Sequence, residues 1–180
     1  MIEEMNAPQQ TEDEELCIRE MTIDDFPIVF HIGEDLFTSD YSPSMYRTWD
    51  EYEITTLYNS DSELCLVAEL GEKILGFALG TTVEKSNSSW KYGYLVWLGV
   101  RPGLQKGGVG AALFKEIKRR MREQGVRMII IDTDADNTAG IHFFQKQGFG
   151  NIQQHVYMTL NLSRKNSKKR KKAEKTEKHK

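Results

Sequence analysis

The sequence contains only two cysteines in 180 residues, Cys17 and Cys65, and each lies within an apolar stretch. Two cysteines are too few for the disulfide framework of a small secreted domain. We therefore expect both to be reduced, buried thiols in a cytoplasmic protein. The four histidines are scattered without the spacing of metal ligands, so no metal site is predicted.

Long apolar runs are also missing. No stretch of 18 apolar residues occurs, which argues against a membrane-spanning helix. Residues 1–15 are acidic and contain no apolar core segment, so we expect no secretory signal there.

Positive charge is concentrated at one end of the sequence. Residues 163–180 carry ten Lys and Arg against two Glu, a composition that cannot bury apolar surface. We predict three regions: an acidic, disordered segment at 1–15, a folded domain at 16–162 and a disordered basic tail at 163–180. The tail is either a solvated segment, a localisation signal, or a contact for nucleic acid or the ribosome.

Between these ends the hydrophobic pattern predicts alternating strands and helices. Strands are expected at 16–21, 63–70, 73–84, 92–100, 126–134 and 153–162, and helices at 22–36, 48–59, 108–123 and 137–147. Thr22 caps the first helix, and the turn "GEK" joins two strands into a hairpin. The strands at 92–100 and 126–134 are apolar almost throughout, which predicts that both are buried. The order of elements indicates a mixed α/β sheet.

The most informative stretch is "QKGGVG", residues 105–110, between the apolar strand 92–100 and a helix. A helix begins with N–H groups that have no intrahelical partner and with a partial positive charge, so it attracts anions. Glycines there let a phosphate approach the backbone, and Arg101 and Lys106 add mobile positive charge. The spacing fits neither G-x-x-x-x-G-K-[ST] nor G-x-G-x-x-G. Another pyrophosphate-bearing ligand and a turn without a ligand both remain open.

Two motifs in this region resemble those of the GNAT N-acetyltransferases. "LGVRPGLQKGGVGAALF" matches the pattern Q/R-x-x-G-x-G/A through Gln105, Gly108 and Gly110. "NTAGIHFFQKQGF" is similar to a second motif of that family, with Gly140 in place of Ala and Phe144 in place of Tyr. The resemblance implies an acyl-CoA N-acyltransferase fold: a mostly antiparallel sheet of six to seven strands, with splayed central strands and about four helices.

The resemblance also implies that acetyl-CoA is the co-substrate and that no metal is used. The residues that it assigns to acetyl-CoA are Leu98, Val100, Gln105, Lys106, Gly107, Gly108, Val109, Gly110, Asn137 and Phe144. Backbone N–H groups from Gln105 to Gly110 would hold the diphosphate. The backbone of Leu98 and Val100 would pair with the pantetheine arm, and Asn137 would contact the arm from the opposite side.

Acetyl transfer to an amine requires a base, a polarised carbonyl and a proton for the departing thiolate. By position in the family, Tyr94 and Asp132 are the candidate catalytic residues, and a backbone N–H near Val100 would polarise the carbonyl. Asp132 is expected in a half-buried cleft, where desolvation would make it a better base. The alternative for Asp132 is a structural acid at the end of a strand that bonds to loop backbone, and the alternative for Tyr94 is an aromatic of the core or of the cleft wall. Asp134 and Glu84 are the reserve candidates for the base. Phe144 occupies the position at which many members have a Tyr acid, and it has no proton to give.

The acceptor is less well defined. The segment "FTSDYSPSMYRTWDEY", residues 37–52, is rich in aromatic and acidic residues, which suits a cationic amine, although an ordinary packed loop is equally compatible. We expect direct transfer in a ternary complex to a primary amine: a protein N-terminus, a polyamine or a small amine. The alternatives are an acetyl-CoA-binding regulator with little turnover and a protein that binds ribosomes or nucleic acid through its tail. A homodimer remains open, and no membrane contact is expected.

Overall fold

The computed structural model describes residues 15–37, 48–84 and 90–156, together with residues 158, 160 and 162. The chain divides into two compact units, residues 1–150 and 151–180. The predictions for residues 1–14 and for the basic tail lie outside the described residues and stay predictions.

Five strands and four α-helices form the described part of the first unit. The strands are β1 (Leu16–Glu20), β2 (Cys65–Leu70), β3 (Lys73–Glu84), β4 (Lys91–Val100) and β5 (Val126–Ile130), and the helices are α1 (Phe26–Leu36), α2 (Glu51–Asp61), α3 (Val109–Glu123) and α4 (Thr138–Lys146). The sheet order is β1-β2-β3-β4-β5, with three antiparallel pairs and a parallel pair between β4 and β5. The predicted mixed sheet with four helices is confirmed.

The sheet separates two apolar cores. One core lies on the side of α1 and α2 and is built around Trp49, Phe77 and Trp97. The other lies on the side of α3 and α4, where Leu113 and Phe114 are buried. The packing of α3 against the sheet follows from its sequence, because its apolar residues recur at helical spacing on one face and its charged residues lie on the opposite face.

The strands β4 and β5 diverge along their length. Their register runs from Lys91 opposite Val126 to Tyr94 opposite Ile130, and no pairing between them is found beyond that point in the described residues. A bulge also interrupts β4, because Leu79 pairs with Trp97 while the next residue of β3, Gly80, pairs with Leu95. Among the residues that the structure describes, the end of β4 from Leu98 to Val100 therefore pairs with β3 and has no strand partner on the β5 side, where we call it the open edge.

Three expectations are corrected in the described residues. The sheet has five strands rather than six to seven, because residues 153–156 of the expected last strand lack strand pairing. β5 is not buried throughout, since Met128 and Ile130 are 46% and 45% exposed. Cys17 is also exposed, on an edge strand, whereas Cys65 is buried and its thiol pKa is raised by burial to about 12.

A charged cluster ties the first strand to the start of α1. The Arg19 guanidinium donates to Asp25 Oδ2 at 2.7 Å and to Glu69 Oε2 at 2.7 Å, while the backbone N–H of Thr22 donates to Asp25 Oδ2 at 2.7 Å. The Asp25 side chain is 8% exposed, and its hydrogen bond from Arg19 lowers its pKa. Thr22 and Asp25 thus form the predicted N-terminal cap of this helical segment.

We predict that Asp25→Asn destabilises the protein by about 1–3 kcal/mol at pH 7, because Arg19 loses a charged partner. A carboxylate with a lowered folded-state pKa stabilises the fold above its unfolded pKa, and this contribution disappears as the pH falls through the folded pKa. The difference in free energy of unfolding between the two proteins should therefore shrink below about pH 4. Urea unfolding at pH 7 and pH 3 measures it, and a constant difference would contradict the assignment.

Among the described residues, no helix has the length and apolar character needed to cross a bilayer.

Candidate functional site

The open edge of β4 is defined by which backbone groups point away from β3. The N–H of Arg101 donates to Leu75 O at 2.8 Å, so Arg101 faces β3. Backbone groups of successive residues in a strand point to opposite sides, which turns the N–H and C=O of Val100 and Leu98 toward the diverged β5 side. These are the two residues that the sequence assigned to an extended ligand arm.

The glycine-rich turn that follows β4 leads directly into α3. Its first helical hydrogen bond runs from Ala112 N to Gly108 O at 3.0 Å, so the N–H groups of residues 108–111 have no intrahelical partner. Gly108 is the N-cap and has φ of +84°, a conformation that favours glycine. A Cβ on Gly108 would meet no atom within 4 Å, so its outer side is open. The first turn of α3 contains no acid, and its partial positive charge is not neutralised there.

The structure places the two cations near this turn differently. Arg101 donates its Nε to Ile74 O at 2.7 Å and is held against β3, so it is not the mobile charge that the sequence suggested. Lys106 is exposed within the turn itself. Lys106 is thus the cation positioned to complement an anion at the start of α3.

Asn137 lies at the N-terminus of α4 and is engaged at both ends of its amide. Its Oδ1 accepts from Gly140 N at 2.9 Å, and its Nδ2 donates to Thr133 Oγ1 at 2.9 Å. A Cβ on Gly140 would lie 2.5 Å from Asn137 Nδ2, which gives a steric reason for glycine at this position of the motif. In this conformation Asn137 caps a helix.

Tyr94 and Asp132 are brought together by the parallel pairing of β4 with β5. Tyr94 Oη donates to Asp132 Oδ1 at 2.6 Å, although the two residues are 38 positions apart in sequence. Tyr94 is partly buried, while Asp132 is exposed, so the expected half-buried environment of the carboxylate is wrong. The pair lies where the open edge of β4 begins. The reserve candidate Glu84 is exposed, and its Oε1 lies 3.8 Å from Lys91 Nζ.

Phe144 is packed in an aromatic cluster between α3 and α4. Its ring centroid lies 5.1 Å from that of Phe143, 5.4 Å from Phe149 and 6.4 Å from Phe114. Phe143 also approaches the glycine-rich turn, because its ring lies 3.7 Å from the position that a Cβ on Gly110 would take. This contact of Phe143 was not predicted, although the place of Phe143 in the second motif could have indicated it.

The segment proposed to bind the acceptor is described only in part. Trp49 is 9% exposed and donates Nε1 to Phe30 O at 3.0 Å, so it belongs to the core. Asp50 caps α2 by accepting from Tyr52 N and Glu53 N. Trp49 and Asp50 therefore fit the alternative interpretation, an ordinary packed segment. Tyr41, Tyr46 and Asp40 lie outside the described residues. Tyr52 is 71% exposed.

No cluster of three or more His, Cys, Asp or Glu side chains with metal-binding geometry occurs in the part of the chain that the structure describes. The features brought together are an open strand edge, unpaired amides at a helix start and a Tyr–Asp pair. This arrangement suits an extended ligand that carries an anionic group.

Comparison with known proteins agrees with this architecture. The family model described as "Acetyltransferase (GNAT) family" matches residues 29–149. An acetyltransferase of Pectobacterium atrosepticum is 28% identical over 131 residues, which cover 72% of this chain and 84% of that protein. Mycothiol acetyltransferase of Streptomyces scabiei is 34% identical over 79 residues, which cover 44% of this chain and 24% of that protein. The match thus spans about a quarter of the length of the mycothiol enzyme.

A solved structure shows the same fold at lower identity. Aminoglycoside N-acetyltransferase AAC(6')-Iy in complex with CoA has a TM-score of 0.65 and 19% identity, and the match covers 83% of this chain and 97% of that chain. Because the family model covers residues 29–149 and includes the glycine-rich turn, the Tyr–Asp pair and Asn137, the chain belongs to the GNAT acetyltransferase family.

Proposed function

We propose that this protein transfers the acetyl group of acetyl-CoA to a primary amine. The observation that carries the proposal is the open edge at Leu98 and Val100, which leads directly to the unpaired amides of residues 108–111. A strand edge can pair with the amides of a pantetheine arm, and a helix start can hold a diphosphate. The related fold that holds CoA in AAC(6')-Iy supports this ligand.

The residues fit this ligand in order along the chain. The N–H and C=O groups of Leu98 and Val100 would bind the arm. The N–H groups between Gln105 and Gly110 would bind the diphosphate, except that of Gly107, which donates to Leu104 O at 3.1 Å. Lys106 would add positive charge. Asn137 would contact the arm from α4 by exchanging one of its present hydrogen bonds for one to the ligand. Acetyl-CoA supplies the activated thioester, and the N–H of Val100, which points away from β3, would stabilise negative charge on the acyl oxygen.

Proton removal from the acceptor falls to the Tyr94–Asp132 pair. At pH 7 only about one alkylamine in a few thousand is neutral, whereas about one α-amine in ten is neutral. Asp132 would take the proton directly or through a water, and the Tyr94 hydroxyl would orient the carboxylate through its 2.6 Å hydrogen bond. The amine nitrogen then forms a bond to the acyl carbon as the carbon–sulfur bond breaks. The thiolate leaves, and the proton that the acylated nitrogen releases passes to it directly or through water.

The acceptor is tested by measuring thiol release from acetyl-CoA with four classes of amine: peptide N-termini, lysine peptides, polyamines and small amines. We expect amine-dependent release with at least one class. Acetyl-CoA binding without amine-dependent release would instead identify an acetyl-CoA-binding regulator.

Phe144 motivates that second candidate, because a phenyl ring provides no acid for the departing thiolate. We predict that Phe144→Tyr raises kcat about 3- to 10-fold, since a thiol with a pKa of about 8.5 gains only modestly from an added acid. Phe149→Tyr is the matched control, because it adds a hydroxyl within the same aromatic cluster. Steady-state kinetics of both variants measure the effect, and equal kcat values in all three proteins would show that no acid at this position limits the rate.

A further inference from the structure

A cavity of about 240 Å³ lies between the C-terminal half of α3, the strand β5 and residues 147–149. Its apolar lining comes from Phe114, Met121, Val126, Ile129 and Phe149. Phe114 and Met121 are 2% and 0% exposed, so the floor of the cavity is part of the core on this side of the sheet. Ligand pockets in proteins combine such an apolar floor with a few polar groups that fix orientation.

The charged side chains that line this cavity are all cationic. Lys118, Arg122 and Arg127 line it, and no acidic residue does. Lys118 Nζ also lies 5.8 Å from the centroid of the Phe114 ring, above the apolar floor. Three cations therefore surround an apolar depression without a neighbouring counter-charge in its lining.

Two other cations of α3, Arg119 and Arg120, are paired with acids. Arg119 contacts Glu116 and Glu123, and Arg120 contacts Glu116 and Glu20. These contacts, led by that of Arg119, hold the Glu116 pKa at about 2. The ion pairs found within residues 15–37, 48–84 and 90–156 include neither Lys118 nor Arg122 nor Arg127.

The cavity is separate from the site proposed for acetyl-CoA. Val109 begins α3 beside the glycine-rich turn, and Arg122 lies 13 residues later, which corresponds to about 20 Å along a helix. None of the lining residues belongs to the set assigned to acetyl-CoA or to the Tyr94–Asp132 pair. The two sites meet at Phe144, whose ring contacts those of Phe114 and Phe149 and whose carbonyl accepts from Gln147 N and Phe149 N.

We propose that this cavity binds an amphiphilic anion, a small apolar body that carries a carboxylate. The apolar floor would bury the body of the ligand, and the guanidinium groups of Arg122 and Arg127 would pair with the carboxylate, which suits their planar geometry. Positive charge without a counter-ion selects an anion over a neutral molecule of the same shape. This site goes beyond acetyl transfer and makes no use of the acetyl-CoA site.

The test is a titration of the full chain, carrying ¹³C-labelled Met, Ile and Val methyl groups, with decanoate, 2-naphthoate and decanol. We expect decanoate or 2-naphthoate to shift the methyl signals of Met121, Val126 and Ile129 with a Kd of about 0.1–1 mM. The comparison of the two carboxylates shows whether an aliphatic or an aromatic body is preferred. Decanol lacks the charge and should bind at least about tenfold more weakly, because each charge-assisted pair contributes about that much.

Charge variants separate a binding site from a basic helix end. The double variant Arg122→Gln with Arg127→Gln should weaken carboxylate binding about tenfold, whereas Arg119→Gln, on the same helix but paired with Glu116 and Glu123, should leave it unchanged. All three side chains are exposed, so we expect the variants to fold. The proposal is overturned if the three methyl signals do not move, as when another segment or a second copy fills the cavity. Equal binding of decanol, or equal loss in Arg119→Gln, would also overturn it.

Discussion

Replacing Asp132 with Asn is expected to lower kcat/KM about 10²- to 10⁴-fold at pH 7, the usual range for loss of a general base. The amide keeps the shape of the side chain and can still accept a hydrogen bond from Tyr94, so the loss would reflect proton transfer rather than packing. Because an alkylamine is increasingly neutral at high pH, the loss should shrink as the pH approaches 10. The pH dependence of kcat/KM for both proteins measures this.

The loop around Asp132 provides matched controls. Asp136→Asn removes an exposed carboxylate four residues away, and we expect little change in rate. Asp134→Asn tests the reserve candidate directly. A normal rate and an unchanged pH profile in Asp132→Asn would remove Asp132 from the mechanism, and a loss confined to Asp134→Asn would transfer the role.

Tyr94→Phe should cost less than the change at Asp132, because it removes only the hydroxyl that orients the carboxylate. In a double variant the two losses should not add, since the Tyr94 hydroxyl acts only by orienting the Asp132 carboxylate through their 2.6 Å hydrogen bond. Full additivity would indicate that the two residues act independently.

Replacing Gly108 with Ala is expected to weaken acetyl-CoA binding about 30-fold or more, or about 2 kcal/mol, because a Cβ would stand on the open side of the turn where the diphosphate approaches. The fold should survive, since that Cβ meets no protein atom within 4 Å. The left-handed conformation of an alanine costs about 1–2 kcal/mol of stability. Equilibrium binding and thermal unfolding measure the two effects separately.

Gly125 offers a close control for that strain. It lies just beyond the other end of α3, has φ of +82° and would also place a Cβ in open space. Gly125→Ala should therefore lose about as much stability as Gly108→Ala while binding acetyl-CoA normally. If Gly108→Ala and Gly125→Ala bind acetyl-CoA equally well, Gly108 is needed only for the conformation of the turn and not for binding of the diphosphate.

The helices and the β2–β3 hairpin could be predicted because local signals define them. Helical spacing in α3, the capping residues Thr22 and Asp25, and the turn at Gly71 each act within a few residues. The unpaired amides at the start of α3 could also be predicted, because the pattern of strand, glycines and helix fixes which N–H groups have no intrahelical partner.

The predictions that failed concern contacts distant in sequence. The alternating pattern of residues 153–162 indicates a strand but does not specify a pairing partner, and residues 151–156 have none of the pairing that defines a strand. The sequence does not distinguish an aromatic residue of a binding loop, such as Trp49 was expected to be, from one of the core. The hydrogen bond of Trp49 to Phe30 O and its burial assign it to the core. The approach of Tyr94 to Asp132 was predicted from family positions, whereas the exposure of Asp132 depends on how far β5 extends.

We propose that the amides at the start of α3 hold the diphosphate of coenzyme A. The most direct test follows the backbone amide signals of residues 105–111 by ¹⁵N NMR while the full chain is titrated with CoA or with pantetheine, which lacks the diphosphate. We predict large shifts of the Gly108, Val109 and Gly110 amide signals with CoA but not with pantetheine. Smaller shifts at Leu98 and Val100 should occur with CoA and with pantetheine. Binding of CoA that leaves the signals of residues 108–110 unmoved would contradict the account.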